Sequence, residues 1–375
     1  MKFTMTTQEF NYLINKCLTT ISAKPAIPIL SNLLIEAANG RLTVTATDLT
    51  VGVRCSVEAS ISEEGATTLP AKKLSQLVRE LTATNMEFKT NSSHITEISA
   101  DSSRFRLHGM DRADFPALPD LDGATHFTLK QAELRDILYR TSFAVSREDN
   151  RFVLMGVFLK ISNGVATFVG TDGKRMARSF MPVNLDPSFS GQWVIPLKAI
   201  EEAQKNLMSE GEATLYLMDD KIAIQTADTT IITKLLAGEY PDVERIIPPS
   251  IDKVVTLHRE ELIALLRQVS LFSGETNHSA RFAFSNGELN LAANSMESGE
   301  GKTSMPANYQ GDGLDIAFNP IFFLDILRHS TGETVSLGIT DAFTPGVISD
   351  QEISPVAAAG VSPLFILMPL RLNEQ

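Results

Sequence analysis

The stretch FTLKQAELRDILYRT at residues 127–141 decides how this chain of 375 residues is organised, because it has two counterparts. These are FTMTTQEFNYLINKC at residues 3–17 and VTLHREELIALLRQV at residues 255–269. In each copy mostly apolar side chains recur at i, i+3, i+4 and i+7, the spacing of one face of a helix. A glutamate directly precedes the first of these positions. The pattern predicts three amphipathic helices, related by offsets of 124 and then 128 residues.

A hairpin signal follows each copy in the same order. The signal is an Asn-Gly dipeptide flanked by residues of strand character, which favours a two-residue hairpin turn. It occurs at Asn39-Gly40, Asn163-Gly164 and Asn286-Gly287. A Thr-Asp pair comes next at Thr47-Asp48 and Thr171-Asp172, whereas the third copy has Asn294-Ser295 and has lost the match.

A second helix is predicted late in each copy, at a proline that suits the first helical turn. The prolines are Pro70, Pro196 and Pro320, the last one shifted, and each copy then ends on an aromatic residue or methionine before proline, at Phe115, Tyr240 and Met368. The predicted helices span residues 7–20, 71–82, 130–142, 197–209, 258–271 and 320–329. Thr6 and Glu9 are spaced as a capping box at the start of the first.

A long internal repeat is the simplest account of these signals. Chance similarity among amphipathic helices could explain one helix, but it fits poorly with helix, hairpin and second helix recurring in order. We predict an α+β fold with three repeated domains, at residues 1–120, 125–248 and 251–375. Each domain is expected to be a doubled β-α-β-β-β unit with two helices and two antiparallel sheets.

Composition excludes several classes of protein. Hydrophobic residues make up 43% and charged residues 21% of the chain, as in ordinary globular proteins. The N-terminus lacks the apolar segment of a signal peptide, so a cytoplasmic location without membrane contact is expected. Cys17 and Cys55 have no CxxC partner and the histidines form no metal-binding pair, so we expect two reduced thiols and no metal or cofactor.

The charge distribution leaves two interpretations open. The net charge of −12 argues against a generic nucleic-acid coat. The predicted helices, however, carry more Lys and Arg than Asp and Glu, so the rest of the chain is the acidic part. Helices on one surface would offer a few loose phosphate contacts, which give weak, salt-sensitive, sequence-independent binding. The alternative is that these charges are ordinary solvated helix faces.

The most prominent polar cluster is Thr171-Asp172-Gly173-Lys174-Arg175. An Asp beside a Lys and an Arg could be catalytic, but Asp-Gly also supplies the geometry of a turn. Because Thr-Asp recurs in the first copy, it belongs to the scaffold, and only residues 173–176 are special to the second copy. No nucleotide-binding glycine motif is present. Two hypotheses remain at this point: an enzyme using Asp172, Lys174 and Arg175, or a cytoplasmic adaptor that binds peptides and no DNA.

Taken together, these stretches resemble the β subunits of bacterial DNA polymerase III, the sliding clamp family. The resemblance covers the whole chain, and its most specific segments are residues 28–34, 47–49, 66–73, 113–116, 171–175, 240–242 and 368–372. It implies the DNA clamp fold, closed into a ring as a head-to-tail homodimer with sheets outside and helices lining the pore. The pore can then be basic while the rim is acidic.

The resemblance also implies a function without catalysis. Such a ring encircles duplex DNA and tethers the replicative polymerase for processive replication. The partners implied are double-stranded DNA, the α subunit of DNA polymerase III, the clamp loader complex, and other polymerases and repair proteins that carry short clamp-binding peptides. This clamp hypothesis differs from the adaptor in one respect, since only a clamp depends on basic helices.

Three sets of site residues follow from the resemblance. The partner-peptide pocket between the second and third domains is expected to comprise Leu154, Thr171, Gly173, Lys174, Arg175, Met176, Pro241, Arg245, Ile246, Ile366, Leu367, Met368, Pro369 and Leu370. The dimer interface is expected at Phe105, Leu107, Leu271 and Phe272. The DNA-binding residues are expected to be Lys24, Lys72, Lys73, Arg79, Arg147, Phe152 and Lys198, of which Lys24 and Lys72 match contact residues of the family.

The chain departs from the family at a few of these places. Glu148, Phe152 and Val153 stand where contact residues of the family can be polar or tyrosine, and Glu148 would repel phosphate. Lys174 replaces a residue that is often histidine, which would make the pocket more cationic. Residues 373–375 extend the tail beyond Leu372, at the edge of the pocket.

Overall fold

A computed structural model describes residues 1–22, 25, 27–274, 278–354 and 358–371. The helices of this part are α1 Thr7–Leu18, α2 Ala71–Glu80, α3 Gln131–Ser142, α4 Leu197–Asn206, α5 Arg259–Ser270 and α6 Pro320–Arg328. The strands are β1 Lys2–Thr6, β2 Asn32–Ala38, β3 Arg41–Thr47, β4 Val51–Glu58, β5 Ser60–Glu63, β6 Gly65–Pro70, β7 Asn85–Thr90, β8 Ile95–Ala100, β9 Ser103–His108, β10 Thr125–Lys130, β11 Gly156–Ser162, β12 Val165–Thr171, β13 Arg175–Pro182, β14 Gly191–Pro196, β15 Glu212–Leu217, β16 Lys221–Gln225, β17 Thr229–Lys234, β18 Lys253–His258, β19 Ala280–Ser285, β20 Glu288–Ser295, β21 Gly299–Pro306, β22 Leu314–Phe318, β23 Thr334–Ile339, β24 Gly346–Ser349 and β25 Leu364–Leu367.

This order confirms the doubled β-α-β-β-β repeat, with the short strand β5 as an addition in the first copy. Each of the six predicted helices is present, but α1, α2 and α4 end two or three residues earlier than predicted. In α2 the backbone becomes extended at Leu81 although that residue continues the apolar pattern. The capping box at α1 is confirmed, since the amide of Glu9 donates to Thr6 Oγ1 at 3.1 Å and the amide of Thr6 donates to the Glu9 carboxylate at 3.2 Å.

The hairpin turns also follow the prediction. Asn39 and Gly40 have φ angles of +52° and +71°, and Asn163 and Gly164 have +54° and +71°. Two consecutive positive φ angles define the type I′ turn that matches the twist of paired strands. In the third copy Gly287 takes the positive φ, at +80°.

The chain divides into two compact units. The first holds Met1–Arg135, Val183–Leu185 and Lys198–Leu235. One of its sheets has the strand order β5-β1-β7-β8-β9, and the other has the order β10-β15-β16-β17-β4-β3-β2-β6. The second sheet joins the first two repeats, because β17 pairs antiparallel with β4 from Thr229 opposite Cys55 to Thr233 opposite Val51.

The second unit holds Asp136–Pro182, Asp186–Leu197 and the described residues from Leu236 onward. Its larger sheet has the order β14-β11-β12-β13-β25-β24-β23-β18, and its smaller sheet has the order β21-β20-β19-β22. The larger sheet joins the second and third repeats in the same manner. Strand β13 pairs antiparallel with β25 from Arg175 opposite Leu367 to Arg178 opposite Leu364.

Aromatic clusters fill the space between helices and sheets in each unit. In the first, the rings of Phe3 and Phe88 stack with centroids 4.7 Å apart, and Phe10 of α1 lies 4.6 Å from Phe88. In the second, Phe282 and Phe323 stack at 5.2 Å. Burying such rings stabilises a domain by both area and ring geometry. These clusters fix the helices against the sheets.

At the first joint, defined as the meeting of α1 with α4 in the first unit, two helix C-termini come together. Lys16, in the last turn of α1, donates to the backbone oxygen of Asn206, the final residue of α4, at 3.2 Å. Thr19, just beyond α1, donates to the carboxylate of Glu202 at 2.5 Å. The lysine therefore offsets two converging negative helix ends.

The second joint, defined as the meeting of α3 with α6 in the second unit, is built alike. Arg140, in the last turn of α3, donates to the Asp350 carboxylate at 2.8 Å and to Thr331 Oγ1 at 2.9 Å, just beyond α6. The hydroxyl of Tyr139 donates to the backbone oxygen of Arg328 at 3.2 Å. The ring of His329 lies 4.1 Å from Phe143 and 4.4 Å from Tyr139. A cation again lies where two helix C-termini meet.

Both cysteines, Cys17 and Cys55, are buried free thiols, as the sequence predicted. Burial raises the pKa of the Cys17 thiol, which keeps it in its unreactive protonated form. Among the described residues, no helix has the length and apolar content needed to cross a membrane.

The second joint should make stability depend on pH through His329. Burial lowers the pKa of His329 below its ordinary value of 6.5, and Arg175 and Arg328 act in the same direction. His329 binds a proton more readily in the unfolded chain than in the folded chain. The free energy of unfolding should therefore fall as pH drops below about 6.5. His329→Phe keeps a ring and removes the titration. We expect a smaller fall in its melting temperature between about pH 7 and about pH 5.5, measured by calorimetry.

His329→Phe also removes the 2.7 Å hydrogen bond between His329 Nδ1 and the backbone oxygen of Asp325, which should lower the variant's stability at every pH. The slope with pH is therefore the quantity to compare. Equal slopes for the two proteins would show that this histidine does not set the acid sensitivity.

Candidate functional site

The turn between β12 and β13 is shaped by its own polar side chains. Thr171 Oγ1 donates to the backbone oxygen of Arg175 at 2.6 Å and accepts from the amide of Gly173 at 3.1 Å. Asp172 Oδ1 accepts from the amides of Lys174 and Arg175 at 2.9 and 3.0 Å. Gly173 has a φ angle of +83°, which glycine adopts without steric cost. The side chain of Lys174 is exposed at the tip.

The first repeat contains the same turn. Thr47 Oγ1 donates to the backbone oxygen of Val51 and accepts from the amide of Leu49, both at 3.0 Å. Asp48 Oδ1 accepts from the amides of Thr50 and Val51 at 2.9 and 2.7 Å. Leu49 has a φ angle of +75° where the second repeat has Gly173. The interpretation of Thr-Asp as a scaffold element is therefore confirmed.

The end of the chain lies beside the turn of the second repeat. The amide of Met368 donates to the backbone oxygen of Lys174 at 3.0 Å, and Met176 lies opposite Ile366 in the sheet. Leu370 forms an isolated bridge with Ala317. Met368 is exposed, whereas Pro369 and Leu370 are partly buried. We call residues 368–370 the tail segment. It lies side by side with the turn.

The predicted pocket residues Leu154, Met176, Ile246 and Ile366 belong to a single apolar cluster of the second unit. Leu154, Met176 and Ile366 are buried, and Ile246 is partly exposed. Pro241 and Arg245 are exposed on the segment that precedes β18, and the Arg245 guanidinium pairs with Asp242 at 2.8 Å. We call this arrangement of cluster, turn and tail segment the cleft.

Two predicted pocket residues point elsewhere. Leu367 is buried in the other apolar cluster of this unit, among residues of α5 and α6, because strand side chains alternate between faces. The Arg175 side chain is 10% exposed and pairs with Asp325 of α6 at 2.7 Å. Its guanidinium lies 4.5 Å from the centre of the Phe322 ring and also donates to the backbone oxygen of Phe143. Arg175 therefore stabilises the second joint, and Lys174 and Arg245 supply the exposed positive charge of the cleft.

Sequence reasoning missed several residues of the cleft. Tyr240, Val243 and Val347 are buried in the same apolar cluster, and Val347 lies opposite Ile366. Phe343 lies on the turn between β23 and β24 and is 80% exposed. Since Gly346 is opposite Leu367, that turn is at the same end of the sheet as Met368. The residue that could have located this turn in the sequence is Asp341. Its carboxylate caps the turn by accepting from the amides of Phe343 and Thr344 at 2.7 and 2.6 Å.

Tyr240 places a polar group inside the cluster. Its ring stacks on Phe158 with centroids 4.5 Å apart, and its hydroxyl is buried without a hydrogen-bond partner among the described residues. Burial raises the pKa of Tyr240, so the hydroxyl stays neutral. The Thr171 backbone acts against this shift, so the hydroxyl lies close to the start of the turn between β12 and β13.

The predicted DNA contacts on α2 share one face. Lys72, Lys73 and Arg79 are exposed, while Leu74 and Val78 of the same helix are buried. An amphipathic helix with its cations outward can meet phosphates without disturbing its core.

The remaining predicted DNA contacts are placed less uniformly. Lys198 is half-exposed and forms an ion pair with Asp48, which also lowers the pKa of that carboxyl. Arg147 is exposed, and Phe152 is 57% exposed on the short helix Asp149–Met155. Lys24 lies outside the described residues, as do residues 372–375 of the tail.

The residues predicted at the dimer interface lie on the edge strand β9 and just beyond α5. Phe105 is partly exposed and Leu107 is buried, both on β9, the last strand of its sheet. Leu271 is 73% exposed at the end of α5. Phe272 is partly buried and packs so closely on β21 that a side chain at Gly301 would meet its ring at 2.4 Å.

These features define a class of protein. The chain consists of α+β repeats that join edge to edge through their sheets, and it has a basic helix face and an apolar cleft. A protein with these features is a DNA clamp. Models of the DNA polymerase III β subunit match its three parts in order, the N-terminal domain at residues 1–119, the central domain at 128–242 and the C-terminal domain at 244–360. The chain belongs to the β-subunit family of DNA polymerase III, the β sliding clamps.

Individual relatives agree over the full length. The chain is 50% identical to the β sliding clamp of Chlamydia pneumoniae and 48% identical to that of Chlamydia muridarum, covering 100% of each protein. The crystal structure of the DNA polymerase III β subunit of Pseudomonas aeruginosa superposes with a TM-score of 0.93 at 28% identity, over 99% of this chain and 100% of that chain. The Bacillus subtilis clamp shares the fold, with a TM-score of 0.93 at 22% identity.

Membership gives the chain its role. It is the processivity factor of DNA polymerase III, an accessory subunit that catalyses no reaction. The alternative of an enzyme with Asp172, Lys174 and Arg175 as its site is therefore wrong. Hydrogen bonds account for the polar cluster at residues 171–175, since Asp172 shapes the turn and Arg175 contacts α6.

The turn of the second repeat should tolerate little at Gly173. A Cβ there would lie 2.2 Å from Arg151 Nη1, in a backbone with a φ angle of +83°. We expect Gly173→Ala to lower the free energy of unfolding by about 1–2 kcal/mol in urea titrations. Gly123→Ala is the matched control, because it has a similar φ of +78° and open space among the described residues around its Cβ. Equal losses would show that Arg151 moves aside without cost.

Proposed function

We propose that two copies of this chain close head to tail into a ring around duplex DNA and tether the replicative polymerase through the cleft. The observation that carries the proposal is a pair of sheet edges. Strands β9 and β21 are each last in their sheets, and among the described residues neither has a partner on its outer side. Unpaired strand edges are normally covered, and a second copy would cover both.

Side chains at these edges support pairing with a second copy. Phe105 on β9 and Leu271 beside β21 present apolar surface. Arg104 and Arg106 of β9 are exposed, and so is Glu300 of β21. Glu300 is already paired with Lys302 of the same strand at 3.4 Å, so the apolar residues, rather than charge, favour joining β9 of one copy to β21 of another. Such a heterologous contact forms a ring when its rotation closes.

The charge distribution suits a ring that moves along DNA. Lys72, Lys73 and Arg79 of α2 would face the pore and make loose phosphate contacts. The chain as a whole carries −12, so its other surfaces repel DNA. Retention then depends on enclosure, and affinity has a minor part. Arg147, Phe152 and Lys24 stay predicted contacts, whereas the ion pair with Asp48 reduces what Lys198 can contribute.

The cleft is the proposed site for partner peptides. An apolar floor with Met176, a neighbouring Met368 and the exposed cations Lys174 and Arg245 suits short apolar segments with some acidic character. The proposed partners are the α subunit of DNA polymerase III, the clamp loader complex, and other polymerases and repair proteins. We assign the domains to residues 1–120, 125–248 and 251–375, in a cytoplasmic protein, and the three matched family segments support three domains in this order.

Enclosure of DNA can be tested directly. The chain is loaded by the cognate clamp loader with ATP onto nicked circular plasmid, and half of the sample is then linearised. We expect retention on circles and rapid loss after linearisation, because a ring slides off a free end. Equal binding to both forms would contradict enclosure and indicate electrostatic attachment. No binding to either, with an active loader, would favour a peptide-binding adaptor.

Loading should depend on the cations of α2. We expect the double variant Lys72→Glu and Lys73→Glu to reduce loaded clamp about tenfold, since it turns attraction to phosphate into repulsion. The matched control is Lys89→Glu with Lys160→Glu, which changes the net charge equally at exposed strand positions. Similar losses in both would show that overall charge matters and the α2 face does not.

Peptide binding should depend on Ile246 in the cleft. We expect Ile246→Ala to weaken a synthetic clamp-binding peptide from the cognate polymerase about tenfold in calorimetric titrations, because apolar contact area is lost. Leu121→Ala is the control, since Leu121 stands at the corresponding position of the first repeat and is also partly buried. An unchanged Ile246→Ala affinity would place the peptide elsewhere.

A further inference from the structure

A buried arginine lies on the sheet face that forms the floor of the cleft. Side chains alternate along β13, so Arg178 is on the same face as Met176, whereas Ala177 packs in the other apolar cluster. The side chain of Arg178 is only 4% exposed. An ionised side chain is rarely buried to this extent unless other groups compensate its charge. The groups around this guanidinium therefore show what it holds in place.

The guanidinium of Arg178 joins two segments that lie on this face. Its Nη1 donates to both carboxylate oxygens of Glu244, at 3.0 and 3.3 Å, on the short helix Val243–Ile246. Its Nη2 donates to the backbone oxygen of Ala359 at 2.5 Å and to that of Val361 at 3.4 Å, in the segment that leads into β25. One side chain therefore binds both segments at once.

These two segments form the walls of the cleft. Val243 and Ile246 of the first segment belong to the same apolar cluster as Met176. Ala358 and Val361 of the second segment pack in that cluster as well. The floor is fixed by the pairing of β13 with β25, but the walls are short helical turns outside the sheet. The spacing of the walls therefore depends on side-chain contacts such as those of Arg178.

The first repeat has the arginine without these partners. Arg54 lies 124 residues before Arg178, and its side chain is exposed. When the aromatic-proline pairs of the two repeats are aligned, Pro119 stands at the position of Glu244. The strand that corresponds to β25 is β17, which follows β16 through a short turn. The buried contacts of the arginine are thus special to the repeat that carries the cleft.

We infer that Arg178 is a positioning residue, which holds the two walls of the cleft at a fixed spacing before a peptide binds. The inference rests on the proposed peptide binding and adds to it the group that orders the site. Because the guanidinium is buried, it acts on a peptide through the walls and not by direct contact. A cleft that is ordered in advance binds with a smaller loss of conformational entropy.

Stability alone does not account for a charge at this position. A buried ion pair is often no more stabilising than apolar side chains of similar size, because both charges lose water. The Nε of Arg178 is also buried without a hydrogen-bond partner among the described residues, which adds to the cost. The Glu244 side chain is 51% exposed, so water can solvate its carboxylate when the arginine is replaced. Arg178→Met should therefore leave the fold intact.

The test compares peptide binding with stability in the full-length protein. The probe is a synthetic clamp-binding peptide from the cognate polymerase, immobilised for surface plasmon resonance. We expect Arg178→Met to raise its dissociation constant about tenfold, because only a fraction of the molecules then has the walls correctly placed. The midpoint of urea unfolding should stay close to that of the wild type. Amide hydrogen exchange should become faster in residues 243–246 and 358–361.

Two further variants and a matched control define the role of the guanidinium. Arg178→Lys keeps the charge but replaces the planar fork by a compact ammonium, so its loss of affinity should be smaller than that of Arg178→Met. Glu244→Gln keeps the shape and the contacts with the second wall, and we expect a loss of about threefold. Arg54→Met removes the exposed counterpart in the first repeat and should change neither affinity nor stability.

Each result decides between the peptide site and the positioning role. If the wild type does not bind the peptide, or if Ile246→Ala binds it unchanged, the proposed site fails whatever Arg178 does. If Ile246→Ala weakens binding and Arg178→Met does not, the site stands and the positioning role is rejected. If Arg178→Met lowers the urea midpoint markedly and speeds exchange throughout the second unit, the arginine is a general structural residue and the inference is also rejected.

Discussion

Backbone hydrogen bonds between strands of different repeats are the constraint on which this molecule depends. Strand β17 adds to β4 and strand β25 adds to β13, so in each case two repeats share one sheet. Every such pairing satisfies main-chain groups that would otherwise lie exposed at an edge. The helix joints, the turn at Thr171 and the cleft all take their places from these pairings. In β13 the same strand that holds Met176 under the cleft carries Arg175 towards α6.

Much of this architecture could be predicted from the sequence, because it depends on local signals. Apolar spacing located the first helix of each repeat and proline located the second, and Asn-Gly and Thr-Asp located turns whose hydrogen bonds involve only nearby residues. The face taken by a single side chain was harder to predict. Ile366 and Leu367 are adjacent apolar residues, yet they join different clusters, and Arg175 has its partner 150 residues away at Asp325. Asp341 could have located the turn that carries Phe343, but the placement of that turn at the same end of the sheet as Met368 follows from strand register, which no local pattern encodes.

The cations of this chain fall into two groups, those paired inside the fold and those exposed on its surface, which the net charge alone does not distinguish. Cations that are needed inside the fold are paired, as Arg140 is with Asp350 and Arg175 with Asp325. Those on the outer face of α2 remain exposed. An acidic protein can therefore present a basic surface in one place. The same separation explains why the overall charge was a poor guide to function.

The shared turn has a consequence for how tandem copies diverge. Asp48 and Asp172 fix their turns through backbone amides, and the one further requirement at the tip is the positive φ of Leu49 and Gly173. Thr50 and Lys174, the residues that follow, are exposed and can change without altering these hydrogen bonds. The two copies therefore differ at the tip, with Leu49 and Thr50 in one and Gly173 and Lys174 in the other, while the turn itself is kept. Homologous loops of identical conformation can thus carry unequal evolutionary histories within one polypeptide.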